Sequence, residues 1–106
     1  IGDEVMFVAV EAQTACDIAT TLMSAFGDHR VAPRGGLAYG ELLTRGGDYY
    51  GPIVNLAARI GDLAVPGELL ATPAIARLCP TVEFEPAGRR QLKGFQEPVK
   101  LVSLSC

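Results

Sequence analysis

Basic residues are scarce in this chain: nine Lys and Arg stand against twelve Asp and Glu, for a formal charge of −3. With no polybasic footprint, nucleic acid and an anionic membrane surface are poor candidates for a partner. Long apolar runs are missing too. No stretch approaches the roughly 20 residues that cross a bilayer, and no basic n-region precedes an apolar one. Histidine occurs once, as His29, with no cysteine or carboxylate at metal spacing, so it reads as a solvated residue on a helix-ending turn. Cysteine occurs three times, as Cys16, Cys79 and Cys106. That odd, widely spread set has no ligand spacing and suits a reducing, cytoplasmic compartment. The twelve glycines suggest a phosphate cradle, but GGLAYG at 35–40 lacks the lysine and hydroxyl that close a Walker loop, and GxGxxG is absent. No GxSxG elbow surrounds Ser24, Ser103 or Ser105, which removes the usual support for serine hydrolase chemistry.

What is present is enough for a core. The chain has 106 residues, 49% of them apolar and 20% charged, which fits one folded domain and not a disordered segment. It begins at Ile1 without a methionine and is expected to be a piece of something longer. VMFVAV at 5–10 reads as a mostly buried strand behind the polar corner Gly2-Asp3-Glu4. Residues 11–26 place Ala15, Ile18, Ala19, Leu22, Met23 and Phe26 at helical spacing, with Gly27 and Asp28 as the stop. VAPRGGLAYG and ELLTR at 31–46 read as two strands joined tightly around Gly40.

Pro52 is placed to open a helix over 52–63, and Pro66-Gly67 is a turn. A strand at 69–71, a helix at 72–78 opened by a Thr72-Pro73 cap, and strands around 82–85 and 99–103 follow. The hairpin argues for an α+β fold with some antiparallel pairing, and not a purely doubly wound sheet.

The informative stretch is GGDYYGPIVNLAARIG, 46–61. Asn55 and Arg59 are four apart, so a helix sets them on one face. Leu56 and Ile60 form the apolar row beside them, and Ala57 and Ala58 permit close packing. Asp48 precedes the helix in a stretch whose glycines let backbone approach a ligand. A carboxylate, an amide and a guanidinium then converge near one junction, and the guanidinium suits phosphate oxygens. The plainer alternative is a surface ion pair and a turn aspartate.

Three blocks, IGDEVMF at the start, RGGLAYGELLTRGGDYYGPIVNLAARI in the middle and LKGFQEPVKL near the end, resemble the C-terminal part of a class III nucleotidyl cyclase catalytic domain. The likeness is to bacterial, actinobacterial-like adenylate cyclases, and it spans nearly all of residues 1–106. It implies a ferredoxin-like α+β domain with a largely antiparallel mixed sheet, and conversion of ATP to 3′,5′-cyclic AMP and pyrophosphate. By the same resemblance Asp3 would be a metal-binding aspartate for two Mg2+ (or Mn2+), and Asp48 the acid that reads the purine edge. Tyr49 would offer a backbone carbonyl near the base. Asn55 would orient the ribose and the reacting phosphate, Arg59 would stabilise transition-state charge, and Lys93 would hold the terminal phosphates. The resemblance also implies a head-to-tail homodimer with shared sites.

Carboxylates suit hard divalent cations, and preorganised cations suit charge developing on phosphates. A carboxylate at Asp48 accepts from the adenine amino group but meets a carbonyl oxygen on guanine, so ATP is the expected substrate. The family's first metal aspartate and its purine-reading lysine would precede Ile1, and the first lysine here is Lys93. These residues alone are therefore expected to turn over negligibly. The competing reading is a catalytically inactive cyclase-like module that binds nucleotide or dimerises.

Overall fold

The structure, a computed structural model, describes residues 4–25 and 32–105. Its elements run α1 (Ala12–Ala25), β1 (Gly35–Leu37), β2 (Leu43–Arg45), β3 (Asp48–Tyr50), α2 (Pro52–Leu63), β4 (Glu68–Ala71), α3 (Pro73–Leu78), β5 (Glu85–Arg90) and β6 (Val99–Ser105). Four strands form a mixed sheet in the order β1-β4-β6-β5, and β2 with β3 makes a separate hairpin. β1 lies parallel to β4, whereas β4–β6 and β5–β6 are antiparallel. The α+β reading of the sequence is thus correct.

Side chains on adjacent residues of a strand point to opposite faces, and this alternation divides the core in two. Leu69 and Ala71 of β4 join Ala12, Cys16 and Ala19 of α1, Ile75 of α3 and Cys79 on one face. Leu70 of β4 and Leu101 of β6 join Ile60 of α2, Ala64 and Leu92 on the other. Each face is closed by helices that cover it with an apolar stripe. On α1 the stripe is Ala12, Cys16, Ala19 and Met23, one step round from the one expected. Ile18 and Leu22 are only half-buried, because the small residues let α1 settle close to the sheet.

α2 lies against β1 at backbone range. A Cβ on Gly36 would come within 2.6 Å of the Ala57 carbonyl oxygen and would collide with the Gly61 amide, so only glycine allows this approach. The close packing runs through Ala57 and Gly61, and Ala58 faces solvent.

Three expectations need correction. The strand at 5–10 is absent: residues 4–9 carry no ladder, no described strand pairs with them, and Val5, Met6 and Val10 are exposed. An extended apolar run becomes a strand only when a neighbour takes its backbone bonds. Phe7 alone of that run's large side chains packs on the core.

The tight hairpin is not built around Gly40 either. β1 pairs with β4, and β2 turns back through Gly46 and Gly47 into β3. Those two glycines have φ of 58° and 86°, the two left-handed positions that a two-residue turn matched to strand twist requires.

The strand expected at 82–85 lies later, at Glu85–Arg90. It accommodates Pro86 and Gly88 because β5 is a sheet edge with a register shift between them. Thr72 stands at the start of α3 as expected, but its side chain makes no capping hydrogen bond. The helix stop at Gly27 and Asp28, and His29, lie outside the described residues.

Candidate nucleotide-binding groove

Pro52 occupies the first turn of α2, where its missing N–H costs nothing, and the Gly51 carbonyl accepts from the amides of Val54 and Asn55 at 3.2 Å each. From that start the helix buries Ile60 and half-buries Leu56, which turns Asn55 and Arg59 outward along one edge. Asn55 is exposed. The Arg59 side chain is 43% exposed, and its guanidinium lies 3.9 Å from the Asp62 carboxylate one turn on. That is a loose, solvated pair, worth well under about 1 kcal/mol, so the guanidinium is free to take a stronger anion.

Lys93 reaches the same place from the far end of the chain. Leu92 is 2% exposed and plugs into the core layer that holds Ile60 and Leu101. The loop behind it closes on itself: the Gln91 side-chain amide donates to the Phe95 carbonyl at 2.6 Å, and the Phe95 amide donates to the Leu92 carbonyl at 3.1 Å. With Leu92 anchored inward, Lys93 stands beside α2. Arg59, Asp62, Leu63, Gln91, Leu92 and Lys93 line a groove of about 180 Å³. Residues 34 positions apart in the sequence therefore set two cations on one concave surface.

The other candidates are placed differently. Asp48 opens β3 instead of sitting in a glycine loop, and its register partner across the hairpin is Arg45. Tyr49 pairs with Thr44 in the same ladder. Both residues are exposed, and neither lines the groove. Only Gly51 separates β3 from α2, and the two elements pack against each other, while α2 is also held against the sheet. Asp3 lies outside the described residues.

Among the described residues no three His, Cys, Asp or Glu side chains gather closely enough to hold a metal ion. The one carboxylate lining the groove, Asp62, faces Arg59. The described residues thus do not by themselves fit the pair of divalent ions that the sequence resemblance implies. Asp62 and Gln91 were not among the sequence candidates. Asp62 was detectable as the residue one turn beyond Arg59, and Gln91 only through the tertiary contact that brings its loop to α2.

No protein-family profile matches the chain. Sequence relatives are nonetheless clear. An adenylate cyclase of Glutamicibacter nicotianae is 46% identical over 72 residues, covering 66% of this chain and 18% of the relative. An adenylate cyclase of Streptomyces griseus is 40% identical over 79 residues, covering 73% and 20%. An uncharacterized protein of Mycobacterium tuberculosis is 38% identical over 106 residues, covering 98% and 28%. The chain thus spans less than a third of the length of these relatives.

Among solved structures, an adenylate/guanylate cyclase/hydrolase of Silicibacter pomeroyi superposes with a TM-score of 0.69 at 21% identity, covering 94% of this chain and 64% of that one. An adenylate cyclase of Trypanosoma brucei in its monomeric state superposes with a TM-score of 0.52 at 29% identity, covering 60% and 32%.

Proposed function

Because this chain is a homologue of the adenylate cyclases and has the fold of class III cyclase domains, we propose that residues 1–106 are the C-terminal portion of such a catalytic domain. In this reading its parent converts ATP to 3′,5′-cyclic AMP and pyrophosphate. The observation that carries the reading is the meeting of Arg59 and Lys93 in one groove, a turn of helix away from Asn55.

Cyclisation is an in-line attack of the ribose 3′-oxygen on the α-phosphorus with pyrophosphate as leaving group, so negative charge gathers on the phosphate oxygens. Two cations set in one groove meet that charge, Arg59 at the reacting phosphate and Lys93 at the terminal ones. Asn55 donates and accepts at the ribose and α-phosphate, and so holds the attacking oxygen in line. Asp48 accepts from the adenine amino group, and the Tyr49 carbonyl lies along the base. Magnesium or manganese, which would lower the pKa of the attacking hydroxyl, enters this proposal through Asp3.

Size supports a shared site. Pockets that bury a drug-sized ligand measure roughly 300–1,000 Å³, whereas this groove offers about 180 Å³. In a head-to-tail pair the metal carboxylates would come from one copy, and the base, ribose and phosphate contacts from the other.

A second reading is a non-catalytic module, in which Arg59 and Lys93 hold nucleotide phosphates in the groove without turnover. Cyclic AMP and pyrophosphate measured from the full-length protein with magnesium or manganese ATP separate the two. Equimolar products support the cyclase. Bound but unchanged ATP at every metal concentration supports the module.

A further inference from the structure

Cys16 and Cys79 stand 63 positions apart and are both fully buried, yet their side chains touch. Cys16 lies on the buried stripe of α1, and Cys79 is the residue that ends α3. The Cys16 thiol donates to the Cys79 sulfur at 2.7 Å inside a wholly apolar layer. The nucleotide groove uses neither residue. Burial pushes the Cys16 thiol up to about 12, and the hydrogen bond to Cys79 and the Cys79 charge add to the effect. Cys16 therefore keeps its proton and points it at the Cys79 sulfur. α3, which Cys79 ends, has six residues and no side-chain cap, and the buried Oγ1 of Thr72 at its start has no hydrogen-bond partner.

We propose that Cys16 and Cys79 are an oxidisable pair that a peroxide converts into an intramolecular disulfide joining α1 to α3. The Cys79 thiolate attacks one oxygen of hydrogen peroxide. The O–O bond breaks, and the released hydroxide takes up the proton that Cys79 lost, giving water and a sulfenic acid. The Cys16 sulfur then attacks the sulfenyl sulfur, the S–O bond breaks, and the departing hydroxyl leaves as a second water with the Cys16 proton. Two thiols lose two electrons, and one peroxide is reduced to two waters. The bond closes a long loop and so constrains the unfolded chain. It lies on the sheet face opposite Arg59 and Lys93, so it stabilises the fold and leaves the groove as it was.

The test treats the protein with hydrogen peroxide and follows it by non-reducing peptide mass spectrometry and thermal melting. The expected result is a linked peptide pair bearing Cys16 and Cys79, two hydrogens lighter than the separate peptides. Tm should rise by on the order of 10 °C, and dithiothreitol should reverse both changes. Cys79→Ala should abolish the link and the rise. If that variant fails to fold, reversal in the wild-type protein still decides. Sulfinic or sulfonic acid on Cys79, a link from either cysteine to Cys106, or thiols that react only after unfolding would each overturn the proposal.

Discussion

The two faces of the four-stranded sheet share β4 and β6 and differ in how fully they are covered. On one face α1 and α3 close over Leu69, Ala71 and two cysteines. On the other, α2 covers Leu70 and Leu101 only with help from the loop at Leu92, and a groove stays open between helix and loop. Covering is what makes a core, and incomplete covering is what leaves room for a site. A stretch of backbone packed at Gly36 fixes α2, which carries Arg59 on its edge, and buried Leu92 sets Lys93 beside it. The covered face should therefore respond to substitution through stability, and the open face through chemistry.

The sharpest contrast comes from Arg59→Ala. On the open face it should lower cyclic AMP formation a few hundredfold, about 3–4 kcal/mol of barrier, with Tm nearly unchanged because the side chain is 43% exposed. Steady-state kinetics beside a thermal melt check both halves. Ile75→Ala, on the covered face, should do the reverse. Removing this buried side chain should cost about 2–5 kcal/mol in a urea titration, while turnover per folded molecule holds.

Asp48→Asn is expected to erode the preference for ATP over GTP by about 1–3 kcal/mol, read as the ratio of kcat/KM values. Stability should hold because the hairpin is exposed.

A further contrast is confined to alkaline pH. Cys16 titrates at about 12 in the folded chain against 9.0 ordinarily. Below 9.0 the thiol is protonated in both states and its stabilising contribution is fully present. As pH rises from there through about 12, the unfolded chain gives up the proton and the folded chain keeps it, so stability falls progressively. Cys16→Ser should flatten that part of the alkaline stability curve.

The sequence made the helices legible and the pairings less so. α2 and α3 announced themselves through proline at the first turn, and α1 through its alanine-rich stripe. Strand partners were another matter, since a strand's local pattern says nothing of its neighbour. GGLAYG and ELLTR look like one hairpin until β4 competes successfully for β1. β5 was hidden because Pro86 and Gly88 argue against a central strand and are tolerated at an edge. That Asn55 and Arg59 share the outer edge of α2 followed from a spacing of four. The arrival of Lys93 beside Arg59 could only be anticipated from a family resemblance, because it depends on Leu92 entering a core assembled from distant parts of the chain. The contact of Cys16 with Cys79 left no trace in spacing at all.

The most direct measurement is a double-mutant cycle on kcat/KM for ATP with Arg59→Ala, Lys93→Ala and the pair. If both cations hold one polyphosphate in one groove, each single substitution should be severe. The double should cost less than their sum, with a coupling of about 0.5–3 kcal/mol. Strictly additive losses, or single variants that turn over ATP as fast as the wild type, would contradict a shared groove.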